Sequence, residues 1–155
     1  MCSGIALAYS EMPVDLIERA GLASRVHDRG GEKEVRFQYR DARPILPVWH
    51  EGQLKLVRWG TRRGQSAVLP PTGYTWLASV EAGRWAALNA EAVEIPATLG
   101  LENGVWFRIR QGLRGVLVAD ESRRPAVYVI VEPASHYYQT MTKSKRMAVL
   151  LGERI

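Results

Sequence analysis

The apolar residues of this chain are divided among many short segments, and most of these segments have the spacing of β-strands. Val35, Phe37 and Tyr39 alternate with charged or polar residues, as expected for a strand that is buried on one side. Residues 126–131 form a continuous apolar run, which is typical of a central strand. Many short strands with two or three helices predict an α+β domain that is mostly β.

Turn and capping signals place the remaining elements. Two hairpins are predicted, one over residues 45–49 and 54–59 with its turn at 50–53, and one over residues 105–110 and 113–119 with its turn at Gln111 and Gly112. The predicted helices cover residues 10–21, with Ser10 as the N-cap, 75–85 and 134–142, and a last strand covers residues 147–151. Residues 60–73 are rich in Arg, Gly and Pro and are expected to be irregular.

The length and composition of the chain fit one globular domain. Its 155 residues contain no internal repeat or linker, so a single domain over residues 1–155 is expected. No apolar run approaches about 18 residues and no signal peptide is recognisable, so we expect a cytoplasmic protein without a membrane span. The one cysteine excludes an internal disulfide, and the three histidines lack the spacing of a metal site. Neither a metal nor another cofactor is therefore expected.

The chain is basic, and its basic residues are mostly arginine. The net charge is +5, and five tryptophans accompany the arginines. Arginine pairs with phosphate and stacks on flat rings, so this combination suits single-stranded nucleic acid. The alternative is an ordinary basic surface around a core that contains the tryptophans.

The single cysteine is Cys2, directly after the initiator methionine. Removal of Met1 exposes a thiol and an α-amine on one residue. Such a residue attacks an aldehyde through its amine and closes a ring through its sulfur, or acts as an N-terminal nucleophile with its own amine as base. The alternative is that Cys2 lies on a frayed terminus and has no role.

Several segments, read in order, resemble motifs of the SOS-response-associated peptidase family. They are Met1-Cys2-Ser3-Gly4, Gln38 to Pro44 with Leu46 to Val48, Leu54 to Gly60, Thr61 to Ser66, Leu69 to Trp76, Tyr128 to Ser135, and Ser144 to Leu151. The resemblance is collinear over nearly the whole chain. It implies a single domain built round a twisted, partly closed mixed sheet, with Cys2 in a basic cleft.

The resemblance also implies a function in DNA damage. Members of the family form a thiazolidine between the N-terminal cysteine and the aldehyde of an abasic site in single-stranded DNA, and a peptidase activity removes the residue before the cysteine. The family's Asn, Glu and His helper residues fall on Thr61, Thr75 and Ser144, which are substituted. A second register instead places the Asn at Asn89 and the Glu at Glu102.

The same resemblance assigns the DNA-binding residues. They are Arg58, Trp59, Arg62, Arg63 and Arg146. Alternatives remain open, because Arg62 and Arg63 are also compatible with a solvated turn, and Trp59 and Trp76 with core packing. We therefore expect a monomer that binds single-stranded DNA and captures abasic sites. A degenerate member that only binds single-stranded DNA, a Cys2-dependent (auto)peptidase, and a protein-interaction or structural role are the alternatives.

Overall fold

A computed structural model describes residues 2–155, which form two β-sheets and three short α-helices. The first sheet has five strands, all antiparallel to their neighbours, in the order β2-β3-β1-β8-β9. Its strands are β1 (Gly4–Ala8), β2 (Val26–Arg29), β3 (Glu32–Gln38), β8 (Leu99–Glu102) and β9 (Val105–Arg108). β1 therefore lies in the middle of this sheet, which fixes the beginning of the described chain between β3 and β8.

The second sheet has seven strands and is mixed. Its strands are β4 (Ile45–His50), β5 (Gln53–Trp59), β6 (Tyr74–Trp76), β7 (Glu91–Pro96), β10 (Gly112–Ala119), β11 (Pro125–Pro133) and β12 (Arg146–Ala148). Strands β10, β7, β4, β5 and β11 pair in that order, and β10 also pairs with β11, so these five strands close into a ring. The predicted α+β, mostly β fold with a partly closed mixed sheet is confirmed.

β11 is the central strand of the second sheet. On one edge it runs parallel to β5 and then β6, and on the other it runs antiparallel to β10 and then β12. Val127 and Val129 face one core cluster, whereas Tyr128 and Ile130 face a second cluster that contains Trp85. Burial on both faces explains the continuous apolar run that predicted a central strand here.

The helices are shorter than the sequence predicts. They are α1 (Val14–Arg19), α2 (Leu77–Glu81) and α3 (His136–Thr142). Ser10 is not an N-cap, because it lies in a separate 3₁₀ turn (Tyr9–Glu11) and α1 begins only after Pro13. Thr75 and Trp76 are not helical, because their backbones pair in parallel with Ile130 and Val131. None of the helices within residues 2–155 has the length and apolar character needed to cross a bilayer.

The predicted hairpin around Gln111 and Gly112 is wrong. β9 pairs with β8 and β10 pairs with β7 and β11, so the chain passes from one sheet to the other at this point. A side chain at Gly112 would overlap the carbonyl oxygen of Ile95, so this glycine permits close strand packing instead of a turn. The actual turn is Asn103-Gly104 between β8 and β9, where both residues have positive φ.

Candidate functional site

Cys2 lies two residues before β1, and hydrogen bonds of Cys2 and Ser3 fix its position. The amide of Ser3 donates to the carbonyl of Leu101 at 2.8 Å, and the amide of Tyr39 donates to the carbonyl of Ser3 at 3.0 Å. The phenol of Tyr74 donates to the carbonyl oxygen of Cys2 at 2.8 Å. The residue is fully buried, so the alternative of a frayed terminus is wrong for Cys2.

The environment of the Cys2 thiol favours its neutral form. The sulfur donates a hydrogen bond to the carbonyl of Gly4 at 2.9 Å. Burial raises the pKa of the thiol to about 11, and the negative charge of Glu102 contributes to the same shift. The thiol is therefore protonated near neutral pH, and a reaction at sulfur needs a base that removes its proton.

Glu102 is the carboxyl group beside Cys2. It ends β8 and is buried, with 6% of its surface exposed. Burial raises the pKa of Glu102, and the positive charge of Arg146 opposes that rise. A carboxyl group with a raised pKa exchanges protons closer to neutral pH than an ordinary glutamate does. Glu102 is thus an acid–base group placed next to the only cysteine of the chain.

An open cleft of about 440 Å³ adjoins Cys2. Its lining includes Ser3, which follows Cys2 in the chain and donates to the carbonyl of Leu101, Leu101 itself, and Tyr74, which donates to the carbonyl group of Cys2. Arg40 and Arg62 line the same cleft and are exposed. The cleft therefore borders the residues that contact Cys2 and carries two exposed arginines.

The three substituted helper positions have other partners in the structure. The hydroxyl of Thr61 donates to the carbonyl of Pro70 at 2.7 Å and lies 3.2 Å from the hydroxyl of Tyr128. The hydroxyl of Thr75 accepts from the indole N–H of Trp85 at 2.8 Å. Tyr128 and Trp85 belong to the core cluster on the face of β11 opposite to that of Cys2. The hydroxyl of Ser144 donates to the carbonyl of Arg146 at 2.8 Å, just before β12.

The second register assigns the helper roles to Asn89 and Glu102, and these two residues have different environments in the structure. Asn89 is exposed and ends a short 3₁₀ turn (Ala86–Leu88) with a φ of 54°. Glu102, in contrast, is buried beside Cys2. Sequence reasoning gave Glu102 less weight than Thr75, although Asn103-Gly104 directly after it is a strong hairpin signal. That hairpin would have placed Glu102 at the end of a strand.

The residues predicted to bind DNA fall into two groups. Trp59 is 1% exposed and its indole donates to the carbonyl of Gly73 at 3.0 Å, so core packing is confirmed for this residue. Arg58 is mostly buried, and its guanidinium forms an ion pair with Asp120 at 3.0 Å. These two contacts are structural.

The other three arginines are exposed. The guanidinium of Arg62 lies 4.9 Å from the ring centre of Tyr39, and the guanidinium of Arg146 lies 5.6 Å from the ring centre of Trp76. Arg63 lies next to Arg62 in the irregular segment and is also exposed. Tyr39 packs against Tyr74 with ring centres 5.4 Å apart, so the two arginine–aromatic pairs flank the residue that holds Cys2.

Comparisons with models of protein families, with curated proteins and with solved structures found no match for this chain. Within residues 2–155, no group of three or more His, Cys, Asp or Glu side chains is arranged to hold a metal ion. The described residues of the site are a buried thiol, a carboxyl group of raised pKa, a phenol and exposed arginines.

Proposed function

We propose that this protein, once Met1 has been removed, captures the aldehyde of abasic sites in single-stranded DNA through Cys2. The observation that supports this most is the position of Cys2, which is buried beside Glu102 and next to a cleft lined by Arg40 and Arg62. The resemblance of the sequence to the SOS-response-associated peptidase family points to the same chemistry. Under this proposal the protein acts in the response to DNA damage.

The reaction needs both groups of Cys2. The α-amine nitrogen attacks the aldehyde carbon of the ring-opened sugar and forms a carbinolamine, which loses water to give an imine. The sulfur then attacks the imine carbon, and the nitrogen gains a proton while the thiol loses one. The product is a thiazolidine, and its mass is that of protein plus DNA minus one water.

Glu102 supplies the proton transfers that these steps require. In its protonated form, which a raised pKa favours, it protonates the hydroxyl that leaves the carbinolamine as water. The resulting carboxylate then accepts the proton of the Cys2 thiol. Since the pKa of that thiol is about 11, sulfur attack depends on such a base. The threonines at the predicted helper positions cannot take this role near neutral pH.

The exposed arginines account for the preference for DNA. Arg40 and Arg62 lie along the cleft, and Arg146 lies on the Glu102 side of the site. Guanidinium groups pair with phosphates. The guanidinium of Arg146 lies against the ring of Trp76, whereas that of Arg62 lies against Tyr39 and donates to the carbonyl groups of Tyr39 and Asp41. A flexible single strand can follow such a site more closely than a duplex can.

The experiment is incubation of the purified protein with single-stranded DNA that contains one abasic site, followed by intact mass spectrometry. We expect loss of Met1 and an adduct that lacks one water. Cys2→Ala should give no adduct. Glu102→Gln should slow adduct formation by about 100-fold or more, whereas the exposed control Glu94→Gln should react as the wild type does. An adduct that persists in Cys2→Ala contradicts the proposal.

Binding of single-stranded DNA without covalent capture is the second candidate. The full burial of the Cys2 thiol favours it, because a sealed thiol reacts slowly. It is supported if the wild type binds single-stranded DNA in a salt-dependent manner and forms no adduct with abasic DNA.

A further inference from the structure

Tyr138 is a fully buried tyrosine on α3, and its hydroxyl group has no hydrogen-bond partner within residues 2–155. The hydroxyl of Thr142, one turn later, donates to the carbonyl of Tyr138 at 2.8 Å and accepts from the amide of Ser144 at 3.2 Å, so it is engaged with the backbone. Burial of an unpaired hydroxyl costs folding free energy that a phenylalanine would not cost. A hydroxyl at this place is explained by a partner that the protein binds.

The ring of Tyr138 lies on the side of the first sheet that carries Glu102. It meets the ring of Phe107 edge-on, with ring centres 5.4 Å apart. Phe107 pairs with Gly100 across β8 and β9, and an added side chain at Gly100 would overlap the Phe107 ring. Gly100 and Glu102 are two residues apart on β8, so they face the same side of the sheet, about 7 Å apart.

A second contact fixes the end of α3 at the cleft that adjoins Cys2. The side-chain amide of Asn103, which directly follows Glu102 and lines this cleft, donates to the carbonyl of Thr142 at 2.8 Å. Tyr138 and Cys2 belong to the same core cluster. Burial raises the pKa of Tyr138, and negative charge on Cys2 or Glu102 raises it further, so the phenol is near both groups and stays protonated.

The phenol of Tyr138 is therefore a neutral hydrogen-bond donor near Cys2 and Glu102. The reacting carbon of an aldehyde carries one oxygen atom, which becomes the hydroxyl of the carbinolamine and leaves as water. A donor directed at that oxygen polarises the carbonyl group and makes its carbon easier to attack. We infer that the hydroxyl of Tyr138 donates a hydrogen bond to the aldehyde oxygen while the amine of Cys2 attacks.

This inference rests on the proposed function and makes Tyr138 a catalytic residue. Tyr138 keeps its own proton throughout. The oxygen atom receives one proton from the attacking amine, which gives the carbinolamine, and a second from Glu102, which releases water. The donor thus acts on the first step, whereas Glu102 acts on the loss of water and on the ring closure.

Tyr138→Phe removes the hydroxyl and keeps the ring that packs against Phe107. The matched control is Tyr137→Phe, because Tyr137 is the preceding residue of α3 and is 66% exposed. Tyr138→Phe should slow adduct formation with abasic single-stranded DNA by about 100-fold, whereas Tyr137→Phe should react as the wild type does. Both variants should bind single-stranded DNA that contains tetrahydrofuran, an abasic analogue without an aldehyde, as tightly as the wild type.

Thermal unfolding separates this role from a structural one. Because the hydroxyl of Tyr138 has no partner in the described chain, its loss should leave the melting temperature unchanged or raise it. The loss of a structural hydroxyl would instead lower the melting temperature. A Tyr138→Phe variant that melts below the wild type, or that forms the adduct at the rate of the wild type, overturns the inference.

A small aldehyde separates failure of this inference from failure of the proposed function. The probe is acetaldehyde, which an N-terminal cysteine also converts into a thiazolidine, and the product is measured by intact mass spectrometry. Slower reaction of Tyr138→Phe than of the wild type supports the inference, and if neither protein forms an adduct with abasic DNA, the capture of DNA is contradicted. Equal rates with acetaldehyde overturn the role of Tyr138, and a wild-type adduct with abasic DNA then leaves the proposed capture intact. A wild type that reacts with neither probe contradicts both.

Discussion

Cys2 is held by hydrogen bonds on both sides of its peptide unit, and its sulfur is enclosed. The phenol of Tyr74 and the backbone of Gly4 are its polar partners. Burial lowers the reactivity of the Cys2 thiol, because the thiolate is the nucleophilic form and burial disfavours the charged thiolate. The neighbouring carboxyl group of Glu102 therefore matters more here than it would beside an exposed cysteine.

The raised thiol pKa predicts a loss of stability at alkaline pH. The pKa of Cys2 rises from 9.0, the ordinary value of a solvated cysteine, to about 11 in the folded chain. Below pH 9 the thiol is protonated in both states, whereas between about pH 9 and 11 the unfolded chain ionises first. The free energy of unfolding should therefore fall by up to about 3 kcal/mol over this range because of Cys2.

Urea unfolding of the wild type and of Cys2→Ala at several pH values measures this effect. The difference in stability between the two proteins should shrink as the pH rises from 9 towards 11. A difference that stays constant over this range contradicts the burial of a neutral thiol.

At the scale of residues, Cys2 stands out in the sequence, whereas the residues that lie beside it in the fold do not. Cys2 is recognisable by its type and its position alone. Glu102 is brought beside it by the pairing of β1 with β8, and local patterns carry no information about such a pairing, in which Ser3 contacts Leu101 across 98 residues. Trp59 and Trp76 show the same limit, because only strand register decides that one is buried and the other exposed.

The irregular segment between β5 and β6 is held by a close approach of two backbones. Gly60 has a φ of 62°, and a side chain there would overlap the carbonyl oxygen of Thr72. The amide of Thr61 donates to that same oxygen at 3.1 Å. This contact sets the path of the segment that carries Arg62, which lines the cleft, and its exposed neighbour Arg63.

Gly60→Ala should destabilise the fold much more than Gly64→Ala does. Both glycines have positive φ, but the space around Gly64 is open. Alanine at Gly64 should cost about 1 kcal/mol from backbone strain alone, whereas alanine at Gly60 adds a steric clash and should cost about 3 kcal/mol or more. Thermal or urea unfolding compares the two variants, and equal losses contradict the role of the Gly60–Thr72 contact.

At the scale of elements, the strands with strong local sequence patterns were predicted correctly, whereas elements with weak patterns were not. The turn between β4 and β5 and the run that became β11 are explicit in the sequence. The helix predicted over residues 75–85 fails because pairing with β11 draws Thr75 and Trp76 into a strand. The hairpin prediction was wrong because it interpreted Gly112 as a turn residue, whereas this glycine allows close packing of two strands.

Over the whole molecule, the excess positive charge is divided between structural and exposed arginines. Arg58 is committed to its ion pair with Asp120, whereas Arg62, Arg63 and Arg146 are exposed, and Arg62 lines the cleft. Exposed cations that meet phosphates release counterions and make binding depend on salt. The ion pair with Asp120 leaves Arg58 less available to pair with phosphate than the exposed arginines are.

Replacement of Arg62, Arg63 and Arg146 by glutamine should flatten the salt dependence of single-stranded DNA binding. Each lost phosphate contact lowers the slope of log K against log salt by about 0.7, so the triple variant should lose about 2. The control replaces Arg108, Arg110 and Arg114, which removes the same charge elsewhere. Binding measured across a salt series tests this, and equal slopes for both triple variants contradict the location of the interface.

Arg58→Gln should instead lower the melting temperature, because Asp120 loses its ion-pair partner.

The distance along the chain between Cys2 and the residues that enclose it orders events during synthesis. The side chain of Ser3 bonds to Leu101, which lies 98 residues later, and Tyr74 lies 72 residues after Cys2. At about 5–20 residues per second, ribosomes need on the order of 5–20 s to add that length. Under the proposed function, an aminopeptidase therefore has time to remove Met1 from the nascent chain before β8 is synthesised and Cys2 is buried.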